Sequence, residues 1–152
     1  MDCKFIWTDG SSEEFLRFYQ ITEDYYSSLV GGKDKRKGFI PYNLSSAIED
    51  VLIAYCGDVA VGCCGLKAYN ETDIEIKRVW VEPEYRGKQI ASTMMKLLEQ
   101  KAAERGFKRL ILQTREKMTA AVAMYKALGY RYIDNYPPYD KLEGAVCLAK
   151  NI

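Results

Sequence analysis

Residues 75–98, EIKRVWVEPEYRGKQIASTMMKLL, join an apolar strand to a helix through a short basic turn, and they hold the chain's clearest chemistry. Arg86, Gly87, Lys88, Gln89, Ile90, Ala91 and Ser92 stand where that helix opens. A helix start has backbone N–H groups without intrahelical acceptors and the positive end of the helix dipole, so it can seat a pyrophosphate. Gly87 and Ala91 let a ligand approach the main chain, and Arg86 and Lys88 add positive charge. A solvated basic turn fits the same residues. Two phosphate loops do not: a nucleotide P-loop needs Gly at 82 and Ser or Thr at 89, where the chain has Glu82 and Gln89, and no GxGxxG is present.

Other chemistry is excluded by residue type. The chain has no histidine, which removes Ser-His and Cys-His nucleophiles, HExxH zinc sites and histidine as a base. Proton transfer is left to carboxylates, tyrosines, lysines or water. Cys3, Cys56, Cys63, Cys64 and Cys147 lie mostly inside apolar stretches, at neither framework nor metal spacings, which predicts buried reduced thiols and no metal site. The 22 Lys and Arg nearly cancel the 21 Asp and Glu, so no global field favours nucleic acid or an anionic membrane, and an anion site must be local. Nothing reaches the roughly 20 apolar residues of a membrane span, and residues 1–20 lack a signal-peptide pattern. The expectation is a cytoplasmic protein with one domain over residues 1–152.

Around the turn the sequence predicts a mixed α/β (α+β) order. Residues 3–7 read as a strand, and Ser11 or Ser12 caps a helix with Glu13 and Glu14 in its first turn, ending near Gly31 and Gly32. A basic loop at 33–37, KDKRK, and a helical turn at 45–50 follow. Residues 51–56 and 59–66, about the turn Gly57-Asp58, read as an antiparallel hairpin, and 73–81 as the next strand. Ile90, Met94, Leu97, Leu98 and Ala102 share a helix face, which Arg105-Gly106 ends. A strand at 107–114, a helix from Thr119 with Ala121, Met124, Tyr125 and Leu128 on one face, and paired strands at 130–134 and 145–149 complete the chain.

The segment V-W-V-E-P-E-Y-R-G-K-Q-I-A, with the later A-x-x-M-Y-x-x-L-G-Y of 121–130, resembles the signature of the GNAT superfamily of N-acetyltransferases. That signature reads Arg or Gln, two residues, Gly, one residue, then Gly or Ala. Arg86 and Ala91 fit it, and Gln89 stands where the family usually has Gly. The likeness covers residues 73–134 well and the rest in outline. It implies a mixed, largely antiparallel twisted central sheet flanked by helices, the GNAT acyl-CoA acyltransferase fold. It also implies acetyl-CoA as co-substrate, with Val79, Trp80 and Val81 pairing with the pantetheine arm and the main chain from Gly87 to Ser92 wrapping the pyrophosphate. An ordinary right-handed conformation at Gln89 would keep its N–H in service.

The same resemblance implies roles for side chains. Tyr125 matches the tyrosine that protonates the departing thiolate; a core tyrosine fits its place on an apolar helix face equally. Met118 stands where an Asn often binds cofactor, and Gln113 where other branches carry a base. Glu75 matches the general base of the histone-acetylating branch, and strand alternation would put it on the same face as Val79; a salt bridge with Lys77 or Arg78, simple exposure, or water as the base are the alternatives. A backbone N–H near Val79 would hold the oxyanion. Tyr25, Tyr26, Tyr42, Tyr136 and Tyr139 are expected around the acceptor cleft, or as half-buried packing, and the basic 33–37 run would suit an acidic acceptor.

The expected function is N-acetyl transfer from acetyl-CoA to a primary amine, on a small molecule or a protein or peptide, by direct transfer in a ternary complex. No histidine activates a thiol for a covalent route. A non-catalytic acyl-CoA-binding or sensory module is the alternative, and a plain interaction domain would bind no CoA. The acceptor and the oligomeric state, a homodimer included, are left open.

Overall fold

The computed structural model describes residues 2–29 and 47–152. The expected basic run at 33–37, Tyr42, the helix end at Gly31 and Gly32, and the start of the 45–50 turn lie outside these residues. Seven strands and three helices follow the predicted order: β1 Cys3–Thr8, α1 Glu13–Leu29, β2 Asp50–Cys56, β3 Val59–Ala68, β4 Asp73–Val81, α2 Ile90–Glu104, β5 Arg109–Arg115, α3 Thr119–Ala127, β6 Arg131–Ile133 and β7 Ala145–Asn151. They form one sheet in the order β1-β2-β3-β4-β5-β7-β6, in which only the β4–β5 pair is parallel. The mixed, largely antiparallel expectation holds.

Local chemistry sets the element ends. Ser12 caps α1, its Oγ accepting from the Phe15 N–H at 3.3 Å. Two strands begin a residue or two later than expected, for one shared reason. Phe107 and Tyr130 spend their N–H groups on Ala102 and Tyr125 carbonyls, closing α2 and α3 over left-handed Gly106 and Gly129.

Both faces of the sheet are covered, which is why β2 reads as an unbroken apolar run. Leu52, Ala54, Leu66, Ile76 and Val81 pack under Met94 and Leu98 of α2 and Tyr125 of α3. On the other face Val51, Ile53, Cys63 and Trp80 pack against Phe15 and Phe18 of α1. Each Val, Leu, Ile, Phe or Met among them, fully buried, contributes about 1.5–3 kcal/mol.

The cysteine expectation needs correcting. The β1–β2 register sets Cys3 opposite Cys56, 4.4 Å apart at Cα, and the two form a disulfide. Cys63, Cys64 and Cys147 are buried free thiols, as expected. Pairing depended on a strand register that residue spacing alone does not encode.

Candidate active site

β4 and β5 pair only over Asp73, Ile74 and Glu75 against Arg109, Leu110 and Ile111. Beyond that point β4 stays with β3 while β5 stays with β7, so the two strands part. The β4 edge from Ile76 to Val81 therefore faces the gap without a strand partner, and an extended ligand can supply one.

An extra residue interrupts β4 beside this gap. Lys77 pairs with Gly65 and Trp80 with Cys63, so Arg78 and Val79 share the place opposite Cys64, and Arg78 takes a positive φ of 54°. The bulge corrects one expectation. Glu75 and Val79 would share a face in a regular strand, but the added residue turns Val79 to the side of Ile76 and α2, and leaves Glu75, Lys77 and Trp80 on the side of α1.

After β4 a short 3-10 turn, Pro83–Tyr85, leads into α2. Arg86 braces it: its Nε donates to the Val81 carbonyl at 2.8 Å, and its guanidinium lies 4.7 Å from the Trp80 ring centroid. Gly87 has φ 76°, and Gln89, the residue that caps α2, has φ 65° and ψ 19°. The right-handed conformation under which its N–H would stay in service is thus not the one it takes, and Gln89 is left-handed. This is the geometry a glycine takes without strain, which accounts for the glycine usual at this place in the family pattern. Its side chain makes no capping bond, and the first α2 main-chain bond runs from the Thr93 N–H to the Gln89 carbonyl at 3.1 Å. The N–H groups at the start of α2 are left for a ligand.

A cavity of about 550 Å³ occupies the gap, within the range of small-molecule sites. Val79, Trp80, Val81, Tyr85, Arg86, Gly87, Gln89, Ile90, Ala91 and Ser92 line it from β4 and α2. Tyr25 and Tyr26 line it from α1, and Lys117, Met118, Thr119, Ala120, Ala121 and Met124 from the opening of α3. No carboxylate is among these residues. Trp80 Nε1–H is buried, with no hydrogen-bond acceptor among the described residues. This wall offers main-chain and cationic donors at one end and an open strand edge along the other.

All the expected cofactor-binding residues except Lys88 line the cavity; Lys88 Nζ lies 5.6 Å from the ring centroid of Tyr85, which does line it. Tyr125 lies just behind the wall, 7% exposed, with its ring against Tyr130. Burial, then the neighbouring Tyr26 and Cys64, raises its phenol above the ordinary 10.0, so it is protonated at neutral pH. Glu75 is also off the wall. It is 5% exposed, accepts from the Tyr136 hydroxyl at 2.7 Å and pairs with Lys77 at 3.4 Å, while Lys77 donates to Tyr139 at 2.8 Å. Burial lowers Lys77 from its ordinary value. Of the expected aromatic lining, Tyr25 and Tyr26 reach the cavity, whereas Tyr136 and Tyr139 stand at the Glu75 cluster. Arg78 is buried against Glu23, and its Nη1 donates to Thr22 at 2.9 Å.

On the α3 side of the cavity the family resemblance had pointed to Met118, which lines it, while Lys117 and Thr119 were missed. The signal was a second helix start, with a basic residue ahead of Thr119, in the chain after the parallel strand. Among the described residues no group of His, Cys, Asp or Glu could hold a metal, and no helix is long and apolar enough to cross a membrane.

Comparison with known proteins bears on this site. The profile of the acetyltransferase (GNAT) family matches residues 15–130. An uncharacterized N-acetyltransferase of Escherichia coli, YjgM, is 35% identical over 86 residues, 55% of this chain and 51% of its own length. The chain thus spans about half the length of the curated relatives it matches. An acetyltransferase of the GNAT family from Staphylococcus aureus superposes with a TM-score of 0.75 at 18% identity, covering 99% of both chains. A GNAT family acetyltransferase from Elizabethkingia anophelis, solved with acetyl-CoA bound, gives 0.69 at 19% identity over 99% of this chain and 98% of that one. At these identities the superpositions establish the fold.

Proposed function

The chain belongs to the acetyltransferase (GNAT) family, and from that premise we propose that it is a single-domain, cytoplasmic N-acetyltransferase that moves the acetyl group of acetyl-CoA to a primary amine. The observation that carries this reading is the parting of β4 from β5 around a carboxylate-free cavity that α2 enters by its uncapped end.

Acetyl-CoA supplies a thioester-activated acetyl group. In this reading the main chain of Val79, Trp80 and Val81 holds the pantetheine arm as an added strand. The N–H groups of Gly87, Gln89, Ile90, Ala91 and Ser92 hold the diphosphate, with Arg86 and Lys88 contributing charge from the turn. A main-chain N–H at Val79 stabilises the oxyanion as the amine nitrogen attacks the carbonyl carbon. When the C–S bond breaks, Tyr125 gives its proton to the thiolate sulfur. The proton the amine loses goes to Glu75, through the Tyr136 hydroxyl or a water, because Glu75 does not itself line the cavity. The transfer is direct, within a ternary complex: Cys63 and Cys64 are buried thiols, both raised by desolvation, and poor nucleophiles.

A non-catalytic acyl-CoA-binding module is the second reading, favoured by Tyr125 lying behind the cavity wall and Glu75 being fully engaged. Thermal shift with acetyl-CoA and thiol release over a panel of small amines and peptides separate the two. Binding with release supports the transferase, and binding without release on every amine supports the module. No shift at millimolar acetyl-CoA overturns both.

A further inference from the structure

Where α1 meets β4 the cavity wall is aromatic. Tyr25, Tyr26 and Trp80 line it, with the Tyr25 ring centroid 5.3 Å from that of Trp80 and 5.8 Å from that of Tyr26. Two of these rings already serve the protein's own cations: the Arg86 guanidinium lies over Trp80, and that of Arg78 stands 5.5 Å from the Tyr26 centroid. Tyr25, 37% exposed, is the most open ring of the three. The carboxylates on the neighbouring strand and helix are spent elsewhere. Glu23 pairs with Arg78, Glu75 with Lys77, and Glu82 with Arg17 at 3.8 Å, and none of the three acids lines the cavity. Trp80 Nε1–H, buried beside the rings, finds no acceptor even for itself among the described residues. Arg86 and Lys117 are on the wall, and no acid on it offsets them. Residues 30–46, outside the described residues, hold Asp34 against Lys33, Lys35, Arg36 and Lys37 and bring no net negative charge.

Resting on the acetyl-transfer reading above, we propose that the acceptor is a monoamine on an aromatic body and that Tyr25 is the residue that selects it. The reaction is unchanged: the N–C bond forms, the C–S bond breaks, and one proton leaves the amine as another reaches the thiolate. A polyamine brings two or more ammonium groups, of which only the attacking nitrogen gives up its proton. The others enter a wall without carboxylates, where they lose water, gain no partner and face two like charges. An aromatic monoamine is neutral at the nitrogen that attacks, and its ring packs on Tyr25 beside Trp80. Offset or edge-to-face ring pairs add about two- to tenfold in affinity beyond the area they bury.

Thiol release from acetyl-CoA with 2-phenylethylamine, hexylamine and spermidine, on the wild type, Tyr25→Phe and Tyr25→Ala, tests this. The wild type is expected to use 2-phenylethylamine with a kcat/KM about tenfold or more above that for spermidine and about two- to tenfold above that for hexylamine. Tyr25→Ala should abolish the preference over hexylamine, mainly through KM, with acetyl-CoA affinity unchanged, and Tyr25→Phe should keep it. Spermidine or hexylamine used as well as 2-phenylethylamine by the wild type overturns the assignment while leaving the transferase intact. A Tyr25→Ala loss that is equal on both monoamines, or that falls on acetyl-CoA affinity, does the same. No release with any of these three amines also overturns it, and the wider panel of amines and peptides then decides whether the transferase reading falls with it.

Discussion

The Tyr136 hydroxyl donates to Glu75 Oε2 at 2.7 Å, and so ties the loop between β6 and β7 to β4 just before its bulge. Glu75→Gln keeps an acceptor for that hydroxyl and removes the base. If Glu75 takes the amine proton, kcat/KM falls about 10²- to 10⁴-fold and the acidic limb of its pH profile disappears. Tyr136→Phe then separates the routes: an equal loss assigns the hydroxyl as the relay, and an undiminished rate assigns a water. A Glu75→Gln profile that keeps its limb makes the residue a loop anchor only.

Tyr125→Phe removes one hydroxyl and leaves the ring packed against Tyr130, so the fold should survive. Thiol release is expected to drop about 10²-fold or more, with acetyl-CoA affinity unchanged. Release that is unaltered across pH would show that the phenol is core packing.

How much of this was legible beforehand depended on the range of the interaction. The β4-turn-α2 unit is local, and its bounds and apolar face could be read from spacing, while its place at a coenzyme site came from the family resemblance. Glu75 was misplaced relative to Val79 because the bulge at Arg78 arises from pairing with β3, where Gly62 admits close approach of the Trp80 carbonyl, and alternation along β4 says nothing of it. The Cys3–Cys56 disulfide needed the β1–β2 register, and Lys117 needed the sheet order that brings α3 beside α2. Gln89 is the instructive case. The family pattern's glycine at that place already pointed to positive φ, yet only a right-handed conformation was weighed there.

Gln89→Gly should therefore stabilise the protein. Relief of a left-handed side chain gains about 1–2 kcal/mol, and the added freedom of the unfolded chain offsets about 0.4–1. A net gain of about 0.5–1 kcal/mol is expected in chemical denaturation, with acetyl-CoA affinity retained, because the bonds from Ser92 and Thr93 end on the residue 89 carbonyl and not on its side chain. A loss of stability would mean that the glutamine side chain itself holds the turn.

Alkaline pH should unfold the protein steeply. Burial is the leading cause that raises Tyr125, Tyr130, Tyr136 and Tyr139 above the ordinary 10.0. Above pH 10 the unfolded chain loses protons that the folded one keeps, so each group lowers stability by about 1.4 kcal/mol per pH unit until its folded value is reached. Lys77 acts oppositely, since its folded value lies below 10.5 and its contribution grows as pH rises toward that point. Burial raises Cys63, Cys64 and Cys147 from 9.0 in the same sense, so together these groups outweigh Lys77, and stability should fall beyond about pH 9–10. Part of the phenolate absorbance of the twelve tyrosines, that of these four, should appear only together with the loss of circular dichroism; complete phenolate formation before unfolding would contradict the burial.

Gly62→Ala tests whether the bulge shapes the coenzyme site. A Cβ at Gly62 would lie 2.8 Å from the Trp80 carbonyl oxygen, a backbone atom of the strand proposed to hold the pantetheine arm. β4 would have to shift, costing about 1–3 kcal/mol of stability and weakening acetyl-CoA binding. Gly65→Ala supplies the contrast, because its Cβ would meet the Ile48 Cγ2 methyl at 2.5 Å, away from β4. It should lose comparable stability and keep the affinity. If titration finds both variants equally impaired in acetyl-CoA binding, general destabilisation explains the loss, and the Trp80 carbonyl has no particular part in holding the coenzyme.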